Sequence, residues 1–150
     1  MKLYLVRHGE AFDKADNPER PLNEAGRQAI EYLAVNLGQR NVQVDWVWHS
    51  GILRAEETAR ILIDQVGNSA QIEVEPQIAP DEDMLPIARR LSEIELDGLL
   101  VSHLPFIGLL TEHLLKDSDP RPTVNYYPGT LYCLEKDTKG RWHYCWKLDP

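Results

Sequence analysis

The chain has 150 residues, of which 43% are apolar and 27% charged, values that suit a globular domain and exclude a disordered chain. Its 16 lysines and arginines against 24 aspartates and glutamates leave a net charge of −8, which excludes a general nucleic-acid binder, since phosphate backbones require a basic face. Two cysteines are too few for a disulfide framework. The apolar run Leu3–Val6 is too short for a signal peptide, and no segment approaches the roughly 18 apolar residues of a membrane helix. The expectation is a single cytoplasmic domain over residues 1–150, with no membrane or nucleic-acid partner and nothing that demands a dimer.

Short apolar runs alternate with longer periodic segments. Lys2–Val6 reads as a buried strand. Asn23–Leu37 reads as a helix, with Asn23 as N-cap, an apolar stripe through Ala29, Ile30, Leu33 and Leu37, and Gly38 as a left-handed stop. Val44–Trp48 is a second strand. Leu53–Val66 is a second helix with Gly67-Asn68 as its stop. Ile72–Val74 is a short strand, and Glu75–Asp83 a loop broken by Pro76 and Pro80. Leu85–Ile94 reads as a short helix and Gly98–Ser102 as a fully apolar strand. Pro105–Leu115 is a helix with proline in its first turn. After a polar loop over 116–128, Leu131–Glu135 and Trp142–Leu148 form a hairpin. The alternation predicts a three-layer αβα fold whose mostly parallel sheet carries the hairpin as antiparallel strands.

The hairpin turn Thr138-Lys139-Gly140 suits a three-residue connection with glycine left-handed. That register pairs Asp137 with Arg141 and sets Cys133 opposite Cys145, a spacing that admits a cross-strand disulfide, although two reduced thiols are the expectation in a cytosolic chain.

Ligands of open α/β sheets bind at the carboxyl ends of strands. There the sequence offers Arg7-His8-Gly9-Glu10, then His49-Ser50-Gly51 with Arg54 one turn into the next helix, then Ser102-His103 before a helix start. Each residue alone has a bland reading: His8 as a hydrogen-bonded structural histidine, Arg54 as a surface residue paired with Glu57 or Thr58, His103 as a strand-end cap. Together they gather positive charge and helix N-termini at one edge, which suits phosphate or a similar oxyanion. The five histidines lack zinc-site spacing and lie among arginines that would repel a cation, so no metal is expected.

Several segments resemble the histidine phosphatase, or phosphoglycerate-mutase-like, superfamily. They are Leu5-Val6-Arg7-His8-Gly9-Glu10, Pro21-Leu22-Asn23-Glu24-Ala25-Gly26, Ser50 through Ala59 with Arg54-Ala55 inside it, and Val101-Ser102-His103. The short chain, Arg20-Pro21-Leu22, and Ser102-His103-Leu104-Pro105 with Gly108 are similar to the small SixA-type phosphohistidine phosphatases, which have no cap domain. The resemblance implies His8 as nucleophile, with Arg7, Gly9, Arg20, Arg54 and His103 binding phosphate or vanadate, and His103 acting best when protonated. It implies Glu10 and Glu57 as residues that orient the arginines, and the loop residues Asp81, Glu82 and Asp83 as candidates for a general acid, without choosing among them. No cofactor is implied. The activity implied is metal-independent hydrolysis of phosphohistidine on proteins through a covalent intermediate. The alternatives are a broad small-molecule phosphomonoesterase of the same superfamily and a non-catalytic phospho-binding module.

Overall fold

The computed structural model describes residues 1–67 and 70–150. In chain order the elements are β1 (Lys2–Arg7), α1 (Glu24–Gln39), β2 (Trp46–His49), α2 (Leu53–Val66), β3 (Gln71–Val74), α3 (Leu85–Glu93), β4 (Gly98–Ser102), α4 (Phe106–Leu114), β5 (Leu131–Lys136) and β6 (Trp142–Leu148). The strands form one sheet in the order β3-β2-β4-β1-β5-β6. The pairings β3–β2, β2–β4 and β4–β1 are parallel, and β1–β5 and β5–β6 antiparallel. This is the mixed, mostly parallel α/β sheet that the alternation of apolar runs predicts.

Period-two side-chain alternation splits the core into two layers. Leu3, Leu5, Trp48 and Leu100 face the residues of α3 and α4, including Ile87, Leu91, Phe106 and Leu110. Tyr4, Val6, Val47, Leu99 and Val101 face those of α1 and α2, including Ile30, Leu37, Ala59 and Leu62. All five residues of β4 are buried, as expected of a central strand covered on both faces.

Local chemistry accounts for most boundaries and for the departures from expectation. Asn23 caps α1, its side chain accepting the Gly26 N–H at 2.7 Å. Gly38 is not the stop. The helix continues to Gln39, and the left-handed residue is Asn41, at φ 55°. Its N–H donates to Gly38 O and that of Val42 to Leu37 O, both at 3.0 Å, a Schellman cap whose apolar contact joins buried Val42 to Leu37. The second strand starts at Trp46 because the Val44 N–H is taken by Val66 O at 2.9 Å and that of Asp45 by Asp97 O at 2.8 Å. The Gly67 N–H caps α2 on Ile63 O; the other half of the expected stop, Asn68, lies outside the described residues. The expected loop over 75–83 contains a 3₁₀ turn, Pro76–Ile78, with Ile78 buried. Pro105 is the N-cap of α4 rather than part of its first turn.

In the hairpin Gly140 takes φ 80° and the Asp137 N–H donates to Arg141 O, as its turn residues predict. The register beyond differs. A bulge between Cys133 and Leu134 sets Cys133 opposite Trp146 and Leu134 opposite Tyr144, so Cys145 becomes the extra residue. Both thiols are free. Trp146 packs 6.0 Å from Tyr4, centroid to centroid.

Lys136 on β5 has a side chain only 2% exposed. Its ammonium donates to the carbonyls of Leu91, Ser92 and Ile94 at 3.1, 2.9 and 2.6 Å, closing the C-terminal end of α3. Replacing it leaves three acceptors without their donor. Lys136→Met should lower the unfolding free energy by about 1–3 kcal/mol, read as a shift of the urea midpoint.

Candidate active site

The parallel register of β1 and β4 builds the site. Arg7 pairs with Ser102, the His8 N–H donates to Ser102 O at 3.0 Å, and the next side chains, His8 and His103, stand with ring centroids 4.9 Å apart. Behind them α2 brings Arg54 across, its Nε–H donating to His8 Nε2 at 3.3 Å. Arg54 is thus turned into the site and away from a surface pairing; Glu57 reaches elsewhere.

The segment after His8 is zipped to the one before α1. The Asn23 N–H donates to Glu10 O at 3.1 Å and that of Phe12 to Pro21 O at 3.0 Å. A Cβ on Gly26 would lie 2.0 Å from Glu10 O, so only glycine fits that seam. The seam presents Arg20, at φ 49°, with its Nε–H donated to Phe12 O at 2.9 Å.

The two histidines are neutral. His8 Nδ1–H donates to Gly9 O at 2.7 Å, which leaves Nε2 unprotonated, its lone pair accepting the long 3.3 Å bond from Arg54 Nε. Burial first, then the charges of Arg54, Arg7 and Arg20, pull the His8 pKa down to about 4, with the Gly9 carbonyl opposing them. Burial and then the charges of His8 and the same arginines pull His103 down to about 3. In the free protein His103 is therefore neutral, chiefly through burial and then through the charges around it.

Ser50 sets the remaining proton. Its Oγ accepts the Ile52 N–H at 3.2 Å and lies 2.6 Å from His103 Nε2. If the hydroxyl donates to Nε2, every hydrogen-bonding atom of the pair is used except the Nδ1–H of His103. The opposite direction would strand both the hydroxyl proton and the Nδ1 lone pair. The neutral ring therefore carries its proton on Nδ1. His103 Nδ1 and Arg7 Nε are both buried and have no partner among the described residues, while Arg7 Nη1 is anchored on Tyr126 O at 3.0 Å. Leaving a buried donor unpaired costs about 1–3 kcal/mol. Unpartnered buried donors of this kind in a cluster of positive charge are the groups an oxyanion can satisfy.

Other sequence candidates serve as supports. The Gly9 N–H is taken by Thr58 Oγ1 at 3.0 Å, and that hydroxyl donates to Arg54 O at 2.8 Å. Ser102 Oγ donates to Ile78 O at 2.6 Å. His49 accepts the Gly51 N–H on Nδ1 at 3.1 Å, bracing the turn away from the histidine pair. Glu10 and Glu57 do not orient the site arginines: Glu10 accepts from the Asn23 amide at 2.9 Å, and Glu57 accepts from the Leu22 N–H at 2.9 Å and from Arg27 at 3.0 Å. Asp83 caps α3 through the Leu85 N–H at 3.0 Å, and Asp81 and Glu82 are exposed. Ser50 and Thr58 lie inside the motif segment but have no role assigned from it, and the Tyr126 carbonyl is a site group that motif reading does not single out. A serine after a strand and a threonine one turn after Arg54 are visible in the sequence, but the backbone carbonyl carries no side-chain signal. No group of three or more histidine, cysteine or acidic side chains is disposed to hold a metal ion among the described residues, and no helix among them is long and apolar enough to cross a membrane.

A strand-end histidine kept neutral among arginines, with a second histidine beside it, on this sheet order defines a phosphoryl-handling class. Residues 3–79 match the model of the histidine phosphatase superfamily, branch 1, and the chain belongs to that superfamily. It is similar to the phosphohistidine phosphatase SixA of Escherichia coli (strain K12), with 27% identity over 155 aligned residues spanning 100% of this chain and 94% of that one. A solved structure of the protein histidine phosphatase SixA complexed with tungstate superimposes with a TM-score of 0.87 at 25% identity, covering 99% of this chain and 97% of that one. The alpha-ribazole phosphatase from Shigella flexneri shares the fold, with a TM-score of 0.73 at 19% identity over 97% and 95% of the two chains.

Nuclear magnetic resonance of the ring nitrogens tests the electrostatics. His8 should stay neutral with its proton on Nδ1 from pH 7 to pH 5 and gain charge only near pH 4; an ordinary midpoint near 6.5 would contradict the buried cationic setting.

Proposed function

We propose that this protein hydrolyses phosphohistidine on other proteins through a phosphohistidine intermediate on His8. The observation that carries the reading is the unprotonated Nε2 of His8 in a cluster with His103 and three arginines, in which two buried donors, His103 Nδ1 and Arg7 Nε, have no partner among the described residues. A phosphoryl group there would be gripped by Arg7 and Arg54 on its equatorial oxygens, with Arg20 as a third cation. The His8 lone pair attacks phosphorus in line, the substrate P–N bond breaks, and the departing imidazole nitrogen takes a proton from solvent. Water then attacks the phosphorus on His8, the new P–N bond breaks, and inorganic phosphate leaves as the water proton passes to solvent. Fixed positive charge supplies the stabilisation of the transferring group.

Two features favour phosphohistidine over an alkyl phosphate. The charges acting most strongly on both histidines come from arginines and from the histidines themselves, with Glu10, Glu57 and Asp83 engaged elsewhere. An imidazole leaving group needs less help from a general acid than an alkoxide does. The mouth of the site is also open: between α2 and β4 the described chain contains β3, a 3₁₀ turn and α3, and Leu104, next to His103, is 40% exposed. The likeness to SixA and to its tungstate complex supports the same reading. Two free thiols suit a reducing, cytoplasmic setting.

His8→Ala should reduce release of phosphate from a chemically phosphorylated histidine protein at least about a thousandfold, with circular dichroism unchanged; retention of a tenth of the activity would overturn the nucleophile. Because the arginines provide the charge that a metal would otherwise supply, EDTA should leave the rate of the untreated protein unaltered, measured on the same substrate.

A further inference from the structure

Gly108 lies in the interior of α4, where glycine is disfavoured against alanine. Packing does not demand it. A Cβ added there would meet, within 4 Å, only Leu104 Cδ2 at 3.3 Å, the tip of a side chain free to shift. The missing side chain instead deepens a groove of about 290 Å³ between α4 and the 124–126 segment. Leu104 and Leu109 form its upper wall, 40% and 52% exposed, and Val124 and Tyr126 the opposite one.

The groove adjoins the histidine pair through two of its lining residues. Leu104 directly follows His103, and the Tyr126 carbonyl is the anchor of Arg7. Its lining is mostly apolar, and the one charged residue in it is Glu112, which has no ion pair among the described residues. Seven helical steps from Pro105 to Glu112 span roughly 10 Å. Exposed leucines in a groove beside the histidine pair offer apolar surface to a substrate large enough to lie along it.

We propose that this groove docks the polypeptide carrying the phosphohistidine, taking apolar side chains beside that histidine and a lysine or arginine farther along the chain against Glu112. The assignment rests on the phosphohistidine reading above. It makes the groove the specificity element of the same reaction, separate from the groups that hold phosphate.

Two synthetic peptides with a single histidine, phosphorylated with phosphoramidate, test it. One carries leucines after the histidine and then a lysine; the other has serines and a glutamate at those positions. Free phosphohistidine is the small control. The protein should hydrolyse the leucine–lysine peptide with a kcat/KM roughly tenfold higher, the gain lying in KM. Leu109→Asp should abolish the preference, and Glu112→Lys should remove the part owed to lysine. Both variants should process free phosphohistidine within about twofold of the unaltered protein, which also reports that they fold. Equal kcat/KM on the two peptides, or a preference surviving in Leu109→Asp, overturns the groove and leaves the phosphatase reading standing. Absence of turnover on both peptides and on free phosphohistidine, with p-nitrophenyl phosphate hydrolysed, overturns the phosphatase reading and the groove with it.

Discussion

Pairing β1 with β4 in parallel, in the register that sets Arg7 against Ser102, determines where every reacting group stands. The register is enforced by burial on both faces: a slip of one residue would send Leu3 and Leu5 into the layer built for Tyr4 and Val6. Because the two strands end level, the residues that follow them, His8 and His103, meet side by side. The loops beyond then have to supply Arg20 and the Arg7 anchor, and α2 has to supply Arg54. Much of the polar bonding around the site, from Thr58 to Ser50, fixes these few side chains against one another.

The cluster is costly to the folded chain when nothing is bound. Two histidines are held neutral by burial among three arginines, and two N–H donors go without partners. Both histidine pKa values lie below the ordinary 6.5, so an unfolded chain binds more protons between that value and about 4, and acid weakens the fold across this window. On the proposed reading an oxyanion would relieve both penalties at once, and phosphate would then stabilise the folded state. The net charge of −8 is no obstacle, since a focused local field governs a small anion more than the sum over the surface does.

Much of this was legible in the residues. Strand-end positions of Arg7, His8 and His103, the helix carrying Arg54, and the layered sheet all follow from apolar periodicity and local breakers; α2 and β4 have the very limits their periodicity predicts. What escaped depends on tertiary contacts. The stop of α1 shifted because Val42 could bury against Leu37, which outweighed a glycine three residues earlier. The hairpin register slipped because a bulge is invisible in a pattern of alternating side chains. The partners of Glu10 and Glu57 depended on which neighbours folding delivered, Asn23 and Arg27 in place of the site arginines. The role of Ser50 became readable only with its two bonds in view.

The seam at Gly26 has a mechanical consequence. With backbone pressed against backbone at Glu10, and the bonds of Asn23 and Phe12 across the same line, the first turn of α1 and the loop bearing Gly9 and Arg20 behave as one stiff jaw. The facing jaw is the irregular stretch before β5, whose Tyr126 hydroxyl rests on Thr111 at 2.8 Å and whose ring leans on Tyr132 at 4.7 Å. On the proposed reading, any widening needed to seat a phosphorylated protein would fall on that second jaw, which two tyrosines and a threonine hold.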